Sequence, residues 1–169
     1  MADQPALHLL LPANRAPDGY AERVALALAL EGQGHNVLRH ALPGDYPRLD
    51  PSAVLAADIA LSRLPDGARV LVDGAALPGL AAALAMDNRR LRLVALVERL
   101  LWREPGLTAE EAAARRHLEQ GALALMRAVA VPDAAAARAV ADLGLVPETV
   151  VVLSPDGAGA ARLDSLWGA

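Results

Sequence analysis

Short unbroken apolar runs alternate with longer alanine- and leucine-rich stretches along the whole of this chain. The short runs fall at 6–12, 36–42, 69–72, 91–97, 128–131 and 149–153. Several lack the alternating polar residue of a half-solvated strand, so they read as parallel strands covered on both faces. Parallel strands cannot be joined by a two-residue turn; they need a crossover of a dozen or more residues, usually helical. The pattern therefore predicts an α/β fold: a Rossmann-like, doubly wound parallel sheet in three α/β/α layers, as a single domain. The domain is expected over residues 1–161, with 157–161 as Gly/Ala-rich loop and 162–169 as a C-terminal tail.

The helices between the runs have readable ends. The first is expected over 20–32, stopped by Gly34 in a left-handed conformation. Asp50 and Pro51 open the second as N-cap and first residue. The third lies within 75–89, and Thr108-Ala109-Glu110-Glu111 is a capping box for a fourth that extends to about 127. Asp133 caps the fifth, and Gly144 ends it. The expected strand order is 3-2-1-4-5-6. Ligands in such sheets bind beyond the carboxyl ends of the strands, where the order reverses. The loops that matter are then 13–19, 43–48, 73–79 and 98–107.

Composition narrows the chemistry. The net charge is −4, every fixed side-chain cation is an arginine, and the aromatics are Tyr20, Tyr46, Trp102 and Trp167. A nucleic-acid binder needs a basic face and stacking platforms, so nucleic acid is not expected as a partner. Absence of cysteine removes disulfides, thiolate metal ligands and a thiol nucleophile. The start has no basic segment before its apolar run, and no apolar stretch nears the ~20 residues of a transmembrane helix. A cytoplasmic protein is the expectation.

Generic sites fail residue by residue. A dinucleotide site needs a Gly-rich turn after strand one and an acid after strand two; the chain has one glycine, Gly19, in the first place and Arg39-His40-Ala41-Leu42 in the second. A P-loop needs a lysine. His8, His35, His40 and His117 show no metal-ligand spacing, and Glu110 and Glu111 read as cap and dipole partners. No cofactor and no metal are expected. Asp73, at the end of strand three, reads either as a cap that orders its loop or as a ligand contact.

The order of motifs resembles the N-terminal half of GT-B glycosyltransferases of family 4, in particular a bacterial subgroup. Asp18-Gly19-Tyr20-Ala21-Glu22-Arg23, an apolar helix and Gly32-Gln33-Gly34-His35-Asn36-Val37 resemble the family's glycine-led first helix and its R-G-H-x-V turn. Ala41-Leu42-Pro43-Gly44-Asp45-Tyr46-Pro47 resembles L-P-G-x-F-P, and Val70-Leu71-Val72-Asp73-Gly74 with Leu77-Pro78 resembles V-D-G-L-A-L-G-A-L-P. The segment 90–97 resembles the fourth strand, and 129–137 and 151–157 follow later patterns loosely.

Three departures carry the functional expectation. The first loop keeps Gly19 but has Asp18 where a second glycine would let a phosphate approach. The family's H-H-P-L-x-x-E-T-G-L is matched by 98–107, with Glu98 and Arg99 in place of both histidines while Glu104, Gly106 and Leu107 keep the frame. An arginine stays protonated and is no general base. The half that grips the nucleotide-sugar has no counterpart in this sequence, and charge stabilisation is usually the largest catalytic term.

The resemblance then implies a degenerate, non-catalytic domain that acts as a binding or regulatory partner. The alternative is the acceptor-binding subunit of a split enzyme, a hexosyltransferase whose nucleotide-sugar domain sits on another chain. Candidate catalytic residues are Glu98, Asp73 and Glu104. Candidate ligand contacts are Arg15, Asp18, Gly19, Tyr20, Asp73, Gly74 and Arg99. Leu100, Leu101 and Trp102, with Leu166 and Trp167, read either as contacts to a partner chain, a second copy or the donor-binding subunit, or as side chains folded back onto their own domain.

Overall fold

A computed structural model describes residues 5–15, 19–30 and 35–167. Among them are six strands: β1 (Leu7–Pro12), β2 (Val37–Leu42), β3 (Arg69–Asp73), β4 (Arg92–Leu96), β5 (Ala128–Val131) and β6 (Val150–Val152). Each lies within one of the apolar runs or extends one by a residue. They form one sheet in which every neighbouring pair is parallel. The helices are α1 (Tyr20–Leu30), α2 (Pro51–Ser62), α3 (Leu77–Asp87), α4 (Ala109–Leu123), α5 (Ala134–Ala141) and α6 (Gly157–Trp167). The architecture is the expected Rossmann-like α/β/α sandwich.

The strand order is β2-β1-β3-β4-β5-β6, which corrects the expected 3-2-1-4-5-6. The reason is written in the strands. β3 has Val70, Leu71 and Val72 fully buried and must be interior, whereas β2 carries Arg39 and His40 mid-strand and leaves Leu38, Arg39 and Ala41 exposed. A strand with charge in its middle belongs at an edge.

Side chains alternate between two cores. Leu7, Leu9, Leu71, Val94 and Leu96 pack with α1 and α6. Leu10, Val70, Val72, Leu93 and Ala95 pack with α2, α3, α4 and α5.

The capping expectations hold. Asp50 accepts the Ala53 amide at 2.8 Å, with Pro51 opening α2. Thr108 and Glu111 cap each other's amides reciprocally, and Asp133 accepts the Ala136 amide at 2.8 Å. Gly144 takes φ +80° after α5. Helix α4 ends at Leu123 rather than near 127, because the Arg127 amide already bonds the Leu93 carbonyl to start β5. Gly34 lies outside the described residues.

The C-terminal region differs from expectation. Residues 157–161 are not a loop and 162–167 are not a separate tail; together they form α6. Asp156 starts it, accepting the Gly159 amide at 3.0 Å, and Ala160, Leu163 and Trp167 bury its inner face.

Arg90, just before β4, ties the far end of the sheet together. Its guanidinium donates to the Leu61, Leu64, Asp66 and Asp87 oxygens at 2.5–3.2 Å. Among the described residues, no helix is long and apolar enough to cross a membrane.

Candidate functional site

The chain leaves β1 to one side for β2 and then crosses back for β3, so the order reverses between β1 and β3. The crevice of a doubly wound sheet opens there, at the carboxyl ends. Three loops meet at it. The loop after β1 is held by the Ala13 amide on the Leu42 carbonyl at 2.8 Å and by the Arg15 amide on the Pro12 carbonyl at 3.2 Å. The loop after β3 begins at Asp73, and the loop after β4 carries Glu98.

Arg15 reaches into the crevice between two carboxylates. Its Nε lies 3.3 Å from Asp73 Oδ2 and its Nη2 3.8 Å from Glu98 Oε2. The other Glu98 oxygen, Oε1, is 3.6 Å from Arg23 Nη2, and Oε2 accepts the Tyr20 amide at 3.4 Å. Glu98 thus sits at the N-terminus of α1, where the helix dipole favours an anion. The Tyr20 amide there meets the chain's own carboxylate.

Asp73 serves two structural purposes here. Its Oδ1 accepts the Ala75 amide at 3.0 Å and opens a 3-10 turn over Gly74–Ala76. Burial pushes its carboxyl above the ordinary value, and the Ala75 amide and the Arg15 guanidinium pull it back. Gly74 sits in close packing against β4. A Cβ there would lie 3.2 Å from the Leu96 carbonyl oxygen and from Val97 Cα.

Tyr20 turns its ring away from the crevice. The side chain is buried and its hydroxyl donates to the Leu153 carbonyl at 2.7 Å, so only its amide faces the site. Burial raises that hydroxyl's pKa further. Gly19 precedes α1 at the crevice rim, and Asp18 lies outside the described residues.

Glu104 and Arg99 belong to a neighbouring cluster rather than to the crevice. Glu104 accepts from Arg115 at 2.8 Å, and exposed Arg99 approaches its other oxygen at 3.8 Å. Glu98, Arg99, Arg103, Glu104 and Asp133 border a polar cleft of about 380 Å³ beyond β4 and β5.

Of the two readings of the apolar triplet, the structure shows Leu100 and Leu101 folded back into the core. Leu100 and Leu101 are only 5% and 4% exposed, and Trp102 packs partly buried beside them. The Arg103 and Arg116 guanidinium carbons lie 5.0 and 5.1 Å from the indole centroid. Trp167 is likewise buried in its own domain at 2% exposure, with Leu166 half-buried beside it. The exposed large apolar side chains are elsewhere, including Val54, Leu55 and Ile59 on α2 and Met86 on α3.

Sequence reasoning missed Glu119. It is 1% exposed and accepts the Leu101 and Trp102 amides at 2.7 and 2.9 Å, which fixes the loop after β4. Burial raises its pKa, opposed by these two amides and Arg115.

Arg15 is expected to matter through Asp73. Arg15→Ala leaves a buried carboxylate with one amide partner and should cost about 1–2 kcal/mol, less than a fully buried pair because Arg15 is partly solvated. Adding Asp73→Asn should recover part of that loss in denaturant titrations. Additive losses would show that the two side chains do not interact.

Comparison with protein-family models gives no match, and comparison with curated proteins gives none either.

Proposed function

We propose that this chain is a non-catalytic domain of the glycosyltransferase GT-B N-terminal type, acting as a binding or regulatory partner rather than moving sugars itself. The observation that carries the reading is the self-filled crevice. Arg15 is shared by Asp73 and Glu98, and Glu98 occupies the α1 N-terminus. A leaving diphosphate needs cations aimed at its developing charge, and here a carboxylate stands at that spot. Neither Glu98 nor Arg99 replaces an imidazole, one being held by arginines and the other staying protonated.

One observation favours the second reading, an acceptor-binding subunit of a split hexosyltransferase. The polar cleft beyond β4 and β5 lies at the ligand end of the sheet and is lined by Glu98, Arg99, Arg103, Glu104 and Asp133. Paired acids and guanidinium groups of this kind suit hydroxyl-rich ligands.

The test is calorimetric titration of the purified chain with UDP-glucose and GDP-mannose, followed by a transfer assay. No saturable binding up to about millimolar nucleotide-sugar and no turnover are expected. Sugar transfer by the chain alone would overturn the proposal. Transfer only when a nucleotide-sugar-binding chain is added would replace it with the split-enzyme reading.

A further inference from the structure

Two of the four histidines, 32 residues apart in sequence, meet on adjacent strands. In the β1–β2 register His8 lies opposite Leu38, and Leu10 opposite His40. His8, Leu10, His40 and Leu42 therefore share the sheet face that carries α2 and α3. His8 Nδ1 and His40 Nε2 are 3.0 Å apart, and the rings lie nearly parallel with centroids 5.2 Å apart. His8 is 8% exposed and His40 half-buried.

Strand β2 has little else to hold its side chains. It is an edge strand whose one sheet neighbour is β1. Along it, Leu42 is fully buried, Val37 packs partly buried against the α1 side, and Arg39 pairs with Glu22 at 2.9 Å on the opposite face from the histidines. The imidazole contact and Leu42 are therefore the side-chain ties on that face.

An imidazole–imidazole hydrogen bond requires one N–H and one lone pair. It survives with both rings neutral, or with one imidazolium donating to a neutral partner. With both rings protonated, two N–H groups and two positive charges face each other. We propose that the His8–His40 pair is a proton-operated latch on the edge strand: with at least one ring neutral it holds β2 to β1, and with both rings protonated it releases β2.

The surroundings favour a neutral closed form. Burial lowers the pKa of both rings, and each proton on His40 lowers that of His8 further. The charged groups on neighbouring elements are Asp66, Arg69 and Arg92 around the cavity of about 540 Å³ that His8 lines, with Asp58 on α2 and Arg63 just after it.

The sign follows from linkage. Both pKa values are lower in the closed form than the free value of 6.5, so the opened strand binds more protons. The latch is at full strength above pH 6.5 and weakens as pH falls below it, until the pH passes beneath the closed-form values. Within that window the opening constant rises by up to roughly tenfold per pH unit for each extra proton taken up.

The experiment is residue-resolved amide hydrogen exchange at roughly pH 7.5 and pH 5, corrected for intrinsic exchange chemistry, with β4 and β5 as internal references. Opening of residues 37–42 should increase at least several-fold relative to the references on acidification. His40→Gln, which can donate to His8 and cannot charge, should abolish most of that increase. NMR titration of the ring protons in the unaltered chain gives an independent reading: both rings should titrate below the free value. The proposal is overturned if β2 opens in step with β4 and β5, if His40→Gln keeps the acid response, or if either ring titrates at or above the free value.

Discussion

Glu119→Ala is expected to destabilise the domain by about 3 kcal/mol or more, although the residue lies in mid-helix and resembles a solvated glutamate in sequence. Two amides, the buried one of Leu101 and the partly buried one of Trp102, lose their acceptor together. Each unsatisfied buried donor costs about 1–3 kcal/mol, and the side chain also leaves a void. Glu119→Gln should cost less, because one oxygen still accepts while the amide nitrogen faces the second N–H. Denaturant unfolding monitored by tryptophan fluorescence measures both. A loss below about 1 kcal/mol for the alanine variant would mean that water or a shifted loop replaces the carboxylate.

A second large effect is expected at a glycine inside a helix, where alanine normally helps by about 1 kcal/mol. In α6, a Cβ on Gly159 would overlap the Ser154 carbonyl oxygen, a backbone atom just beyond β6. The first turn of α6 crosses the strand exit too closely for any side chain. Gly159→Ala should therefore cost about 3 kcal/mol, read as a fall in Tm of about 6–12 °C for a domain of this size. Gly121 in α4 is the control, since a Cβ there meets nothing within 4 Å. Gly121→Ala should stabilise by up to about 1 kcal/mol. Equal behaviour of the two variants would refute the close crossing.

What sequence reveals and what it hides divide along the range of the interaction. The strands were legible because continuous apolar runs such as Val70-Leu71-Val72 have few other uses. The caps at Asp50, Thr108–Glu111 and Asp133 were legible because a cap is complete within four residues. Strand order was not, since it depends on pairings across the chain. Its one local signal is Arg39-His40 inside β2. Helix α6 was hidden by its Gly/Ala composition, although Asp156 followed by Gly157 is a start signal.

The candidate site was half legible. Arg15, Asp73 and Glu98 converge because each stands at or just beyond a strand's carboxyl end, which the α/β alternation alone required. That they would neutralise one another could not be read without distances. Whether Leu100, Leu101 and Trp102 face outward or fold back was undecided in sequence because nothing local reveals the Glu119 carboxylate that accepts the Leu101 and Trp102 amides. The only hint was spacing: Arg115, Glu119 and Ala122 lie on one helical stripe. The His8–His40 contact was beyond reach, as neither residue signals the other until the β1–β2 register is known.

Arg90 leaves little room for independent change at the amino-terminal end of the sheet. One planar cation holds the last carbonyls of α2, the connection into β3 and the acid that closes α3. A lysine, with a single nitrogen on a flexible stem, could satisfy only some of these acceptors at once. The ends of α2 and α3, neighbours in one helical layer, are thereby made mechanically continuous, so a lineage that altered the end of either helix would have to alter both.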